Sequence, residues 1–105
     1  MNPYIPFAST VTAVIPHTDI EYTFRLSYEG PVRPGQFFEV SVPKFGEAPI
    51  SVSGIGEDFV DLTIRRVGVV TDKVFERYVG DTLLLRGPYG NGFDVGLYKG
   101  KDKII

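Results

Sequence analysis

Between residues 20 and 28 apolar side chains fall on every second position: Ile20, Tyr22, Phe24, Leu26 and Tyr28, with Glu21, Thr23, Arg25 and Ser27 between them. A period of two belongs to a strand, whose successive side chains point to opposite faces, and not to a helix with its period of 3.6. One face of this segment rests on a core and the other meets water. Val60, Leu62 and Ile64 repeat the pattern within residues 59–67, alternating with Asp61, Thr63 and Arg65. Twelve glycines and eight prolines lie scattered between such runs, the punctuation of an all-β domain with many turns. Residues 8–15, rich in Val and Thr, read as a first strand, and residues 16–19 as a turn. Further strands are expected at 37–42, 49–53 and 82–86, with a turn at 33–36, a loop at 43–47 and a turn at 54–58. Helical spacing occurs at 71–79, where Val74, Phe75 and Tyr78 share a face. There Thr71 is placed as N-cap, Asp72 suits the first turn and Gly80 ends the helix. The expectation is all-β: a six-stranded antiparallel barrel, closed or nearly so, with one short helix.

Composition narrows the chemistry. A chain of 105 residues makes one domain, and its mean hydropathy of +0.03 is ordinary for a globular protein. There is no cysteine, so disulfides, thiolate zinc sites and cysteine-ligated iron–sulfur clusters are excluded within these residues. His17 is the single histidine; a histidine-based triad is disfavoured, and its turn-like surroundings read as a solvated loop. No metal site is expected. The net charge of −2 argues against a nucleic-acid partner, which calls for a basic surface. No apolar run approaches the roughly 18 residues of a membrane span. The first residues carry no secretion-signal pattern, and a cytoplasmic location is the default expectation.

Three segments read as pieces of one ligand cradle. They are Ala48-Pro49-Ile50-Ser51-Val52-Ser53, then Thr63-Ile64-Arg65-Arg66-Val67-Gly68-Val69-Val70-Thr71, then Arg86-Gly87-Pro88-Tyr89-Gly90-Asn91-Gly92-Phe93. In the second, a strand ending in two arginines breaks at Gly68 before the helix. A helix start has unpaired N–H groups and a partial positive charge, which suit a pyrophosphate.

In this order and spacing, together with Pro34-Gly35-Gln36-Phe37-Phe38 upstream, these segments resemble the FAD-binding domain of the ferredoxin–NADP reductase superfamily. Among its branches the likeness is nearest to the electron-transfer subunits typified by that of anaerobic sulfite reductase. Hydrogenase gamma and the dihydroorotate dehydrogenase electron-transfer subunit are related branches. The resemblance implies a Greek-key barrel that binds FAD and passes electrons from NAD(P)H to partner subunits of a redox complex. It implies that Pro49, Ile50 and Ser51 line the isoalloxazine, with the Ser51 hydroxyl, the catalytic candidate, near the reactive nitrogen, and that Ala48 beside them is also cofactor-binding. Thr63, Ile64 and Arg65 would border the ribityl and phosphate region. Gly68, Val70 and Thr71 would present backbone N–H groups and a hydroxyl to the pyrophosphate.

The sequence departs from the superfamily pattern Arg-x-Tyr-Ser, reading Ala48-Pro49-Ile50-Ser51. The usual arginine is absent, and Arg65 is the expected replacement cation. Gly68-Val69-Val70-Thr71, in place of the Gly-Lys-Gly-Thr of the dihydroorotate dehydrogenase branch, favours the sulfite reductase or hydrogenase branches. Residues 1–100 are expected to form the barrel, with residues 101–105 opening an NAD(P)-binding domain. NAD(P)H and a 2Fe-2S cluster are then expected only beyond this chain. The alternative is a flavin-free barrel used for binding or subunit docking.

Overall fold

The computed structural model describes residues 5–90. Its strands are β1 (Phe7–Thr18), β2 (Glu21–Ser27), β3 (Phe37–Val42), β4 (Gly46–Ile55), β5 (Phe59–Arg65) and β6 (Thr82–Tyr89), with helix α1 (Val69–Val74) between the last two. They close into an antiparallel barrel in the order β1-β2-β5-β4-β3-β6. Short turns make neighbours of β1 and β2, of β3 and β4, and of β4 and β5. The longer connections carry β5 beside β2 and return β6 between β3 and β1, a Greek-key path.

The two alternating segments recognised in the sequence pair with each other. Tyr22, Phe24 and Leu26 of β2 face Ile64, Leu62 and Val60 of β5, so both apolar faces turn to the same side. Phe24, Leu26, Val60, Leu62 and Ile64 are fully buried, joined from the other half of the barrel by Val11, Phe38, Val40 and Leu85. Removing each large side chain from water contributes about 1.5–3 kcal/mol. On the outer face the same register sets Arg25 opposite Asp61, and the guanidinium grips both carboxylate oxygens at 2.8 and 3.0 Å. Tyr28, just beyond β2, is buried against Phe38 and Phe7 with ring centroids 5.3 and 5.7 Å away, while its hydroxyl donates to the Pro31 carbonyl. Gly87 is buried with φ 129, and a Cβ there would lie 3.2 Å from the Phe37 carbonyl oxygen. Glycine is required at that close approach of β6 to its neighbour β3.

Several boundaries differ from the sequence reading. β1 runs through Pro16 and His17 to Thr18 where a turn was expected. It pairs with β6 only over Phe7–Thr10, so its second half has a free edge, and a register shift lies between Pro16 and Thr18. A proline is tolerated at an edge or bulge. Ile20, placed by its periodicity on the core face, falls in the following turn and is 43% exposed. β4 extends back to Gly46 because residues 46–48 pair with β3, reducing the expected loop to a tight hairpin turn. The helix begins earlier and ends sooner than residues 71–79. Gly68 is its N-cap and Phe75 its C-cap. Glu76 and Arg77 then bond back three residues to Lys73 and Val74, tightening the chain out of the helix. Phe75 turns inward to stack on Tyr22 at 4.3 Å. The expected opening of a second domain at residues 101–105, and the last ten residues of the expected barrel, lie outside the described residues. Among the described residues no helix is long and apolar enough to cross a membrane.

Candidate functional site

Within the closed barrel the seam between β4 and β5 is laddered over only part of its length and split over the rest. Their ladder holds from Ile55↔Val60 through Gly54↔Asp61 to Val52↔Leu62 and goes no further. Beyond it β4 continues through residues 46–51 paired to β3 alone, and β5 continues through residues 63–65 paired to β2 alone. The two edges of this split carry two of the three segments singled out in the sequence; the third begins on β6, across β3 from this seam, and its residues 91–93 lie outside the described residues. Helix α1 leaves the end of β5 and packs near β3 and β4; Val70 Cγ2 would lie 3.5 Å from a Cβ at Gly46, whose φ of 121 a side chain rarely adopts.

Strand alternation decides what each residue offers. Pro49 and Ser51 point outward and are exposed, whereas Ala48 and Ile50 point inward and are half-buried. The Val52 N–H bonds to the Gln36 carbonyl on the β3 side. Neighbouring residues of a strand direct their N–H and C=O groups to opposite sides, so the Ser51 N–H is turned toward the split. Pro49, with no N–H to give, occupies the same unpaired edge, where its ring breaks no ladder. Ile50 packs against the core and presents only part of its side chain outward. Ile64 is fully buried, so its backbone alone can touch a ligand. Thr63 is half-buried on the outer face, and Arg65 is exposed at the end of β5.

The electrostatics of the rim separate its cations. Arg66 pairs with Asp72. Arg86 grips Glu47 through two nitrogens, with Nε 2.8 Å from Oε2, and donates to the Tyr89 hydroxyl. Hydrogen bonding to Arg86 holds the Glu47 carboxyl below its usual range. No hydrogen bond or ion pair to Arg65 is formed among the described residues. Its guanidinium is therefore available to an anion.

At the helix start the Thr71 hydroxyl is fully engaged. It accepts from the N–H groups of Val67 (2.9 Å) and Gly68 (3.0 Å) and donates to the Gly68 carbonyl (3.1 Å). Thr71 thus acts from inside the first turn, not as the N-cap, and holds the 67–68 backbone in place. With φ −168, Gly68 adopts extended backbone open to any residue, and a Cβ there would meet nothing within 4 Å. Neither conformation nor packing demands glycine, and the free space lets a ligand approach the backbone. The residues present therefore fit a flavin nucleotide: a backbone edge and hydroxyl at Ser51, a polar wall at Thr63, a free cation at Arg65 and room at Gly68. A separate hollow of about 360 Å³ lined by Tyr28, Val32, Arg33, Gln36 and Pro88 shares no residue with this split.

The structure matches known folds closely. The chain superposes on the ferredoxin reductase of carbazole 1,9a-dioxygenase with TM-score 0.76 and 25% identity, over 88% of this chain and 31% of that one. The barrel has the ferredoxin reductase fold. In sequence it is 39% identical to sulfhydrogenase 1 subunit gamma of Pyrococcus furiosus, over 99% of this chain and 39% of that protein. It is 44% identical to a probable dihydroorotate dehydrogenase B (NAD(+)) electron transfer subunit of Thermoplasma volcanium, over 70% of this chain and 29% of that protein. The chain thus spans well under half the length of these curated relatives. No protein-family model matches it.

Sequence reasoning missed two features of this surface. One is the Glu47–Arg86 clamp across β3. The other is a row of side chains, His17, Thr23, Thr63 and Ser53, hydrogen-bonded across four strands. Only the pairing register, Thr23 opposite Thr63, could have revealed it.

Proposed function

We propose that this chain is the FAD-binding domain of an NAD(P)H-dependent electron-transfer oxidoreductase subunit. The observation that carries the reading is the split between β4 and β5, edged by Ser51, Thr63 and Arg65 on a ferredoxin reductase barrel. A flavin bound there accepts a hydride and releases electrons one at a time. Ser51 offers its hydroxyl and backbone N–H to the ring edge, and Pro49 supplies a flat apolar contact. Thr63 faces the polyol, Arg65 neutralises phosphate charge, and Gly68 leaves the helix start accessible to it. Nicotinamide binding and any 2Fe-2S cluster belong, in this reading, outside the barrel, since this sequence has no cysteine to ligate a cluster. Its partners are the other subunits of a cytoplasmic redox complex. The names of the relatives support a hydrogenase-type or dihydroorotate dehydrogenase-type assembly. Val69 and Val70 in place of Lys and Gly favour the hydrogenase and anaerobic sulfite reductase branches, and the electron-transfer subunit of the latter is the finer proposal.

Titration of the purified chain with FAD and with riboflavin, followed by flavin fluorescence, tests the reading. Arg65→Gln weakens FAD binding roughly tenfold, the worth of one charge-assisted hydrogen bond, and leaves riboflavin, which has no phosphate, nearly unchanged. Loss of both ligands in equal measure would remove Arg65 from the phosphate site. A wild-type chain that quenches neither flavin would favour the docking-barrel alternative.

A further inference from the structure

The row of side chains outside the barrel has a direction. Ser53 Oγ lies 3.1 Å from the Asp61 carbonyl oxygen, which only accepts, so Ser53 spends its one proton there. Thr63 must then donate to Ser53 at 2.9 Å. With the Thr63 proton used, the 2.8 Å contact between Thr23 and Thr63 requires Thr23 to donate. With the Thr23 proton used, the 2.7 Å contact to His17 Nε2 requires His17 to donate. The row runs one way: His17 Nε2–H to Thr23, to Thr63, to Ser53, to a backbone carbonyl.

Thr63 stands at the first position of β5 beyond the end of the β4 ladder. Its proton is committed and one lone pair is filled by Thr23, so its remaining capacity is a single acceptor site. The donation to Ser53 polarises the Thr63 hydroxyl and strengthens that acceptor. Thr23 is 7% exposed although it lies on the outer face, so its orientation is protected from water. We infer that His17 and Thr23 are positioning residues that hold Thr63 as an acceptor at the split, where it selects a ligand hydroxyl. The assignment rests on the flavin reading above, whose polyol chain is the part of the ligand that carries hydroxyl donors.

The test uses the full chain with riboflavin and with lumiflavin, which keeps the ring but has no polyol. Thr63→Val is expected to weaken riboflavin binding roughly three- to tenfold, the range of one net hydrogen bond, and to leave lumiflavin unchanged. Thr23→Val and His17→Ala should weaken riboflavin in the same direction by less. His17→Gln, which retains an N–H donor, should restore binding. Nitrogen NMR of the unliganded chain gives a readout independent of flavin: neutral His17 should be protonated at Nε2, and finding the proton on Nδ1 would overturn the row. Riboflavin binding unaltered in all three weakening variants would overturn the positioning role while leaving the flavin reading intact. Absence of binding to the wild-type chain, with His17 protonated at Nε2, would overturn the flavin reading and with it the selection assigned to Thr63.

Discussion

Phe24 and Glu47 mark the two kinds of residue that hold this barrel. Phe24 is fully buried beside the stacked rings of Tyr22 and Phe75, with centroids 6.1 and 6.0 Å away. Phe24→Ala should cost about 3–5 kcal/mol through lost burial and the cavity left behind, read from urea unfolding midpoints. Glu47 acts by charge, tying β4 to Arg86 of β6 across β3. Its carboxyl is held below the ordinary value of 4.5 by hydrogen bonding to Arg86. A carboxyl whose folded pKa is lowered adds stability above its unfolded value and loses it as pH falls through the folded one. Glu47→Gln should therefore lower the unfolding midpoint at pH 7, and the two proteins should converge well below pH 4. A difference that persists undiminished at acid pH would show that the pair does not act through this titration.

At the scale of the element, α1 is short and poor in helix formers, beginning Val-Val-Thr. What holds it is Thr71, whose hydroxyl takes the N–H groups of Val67 and Gly68, together with Val74 buried in the core. Thr71→Val keeps the shape and orphans both donors, so a loss of about 1–2 kcal/mol is expected. Thr71→Ser should retain most of it. Flavin affinity should follow stability in this pair, because the 67–68 backbone borders the split. Equal unfolding midpoints for the valine and serine variants would show that water replaces the hydroxyl.

For the whole molecule, the proposed function couples ligand to fold: a flavin lying along the split would bridge β4 and β5 where no ladder joins them, and would bind the folded chain alone. Linkage then predicts a thermal midpoint that climbs with ligand, equivalent to about 2.7 kcal/mol at one hundred times Kd. Scanning calorimetry with rising FAD should show this, with a smaller rise for riboflavin at equal concentration. A midpoint indifferent to either flavin would mean that the split takes no flavin.

Alternation at 20–28 and 59–65, glycine and proline punctuation and a lone helical stretch determined the all-β barrel and its strand count. These signals lie within consecutive residues, because a strand half on a core writes its two faces into neighbouring positions. The segments around Ser51, Thr63 and Gly68 could likewise be picked out by their order along the chain. Only the tertiary structure decided which of their groups are exposed and unengaged at the split. Ile64 looked available and is buried, Thr71 looked free and is spent on the backbone, and His17 looked like a loop residue yet lies in β1, bonded to Thr23. The reason is register. Thr23 and Thr63 meet across 40 positions of chain, and where the β4 ladder stops depends on how six strands share one closed circumference, which no local window of sequence carries.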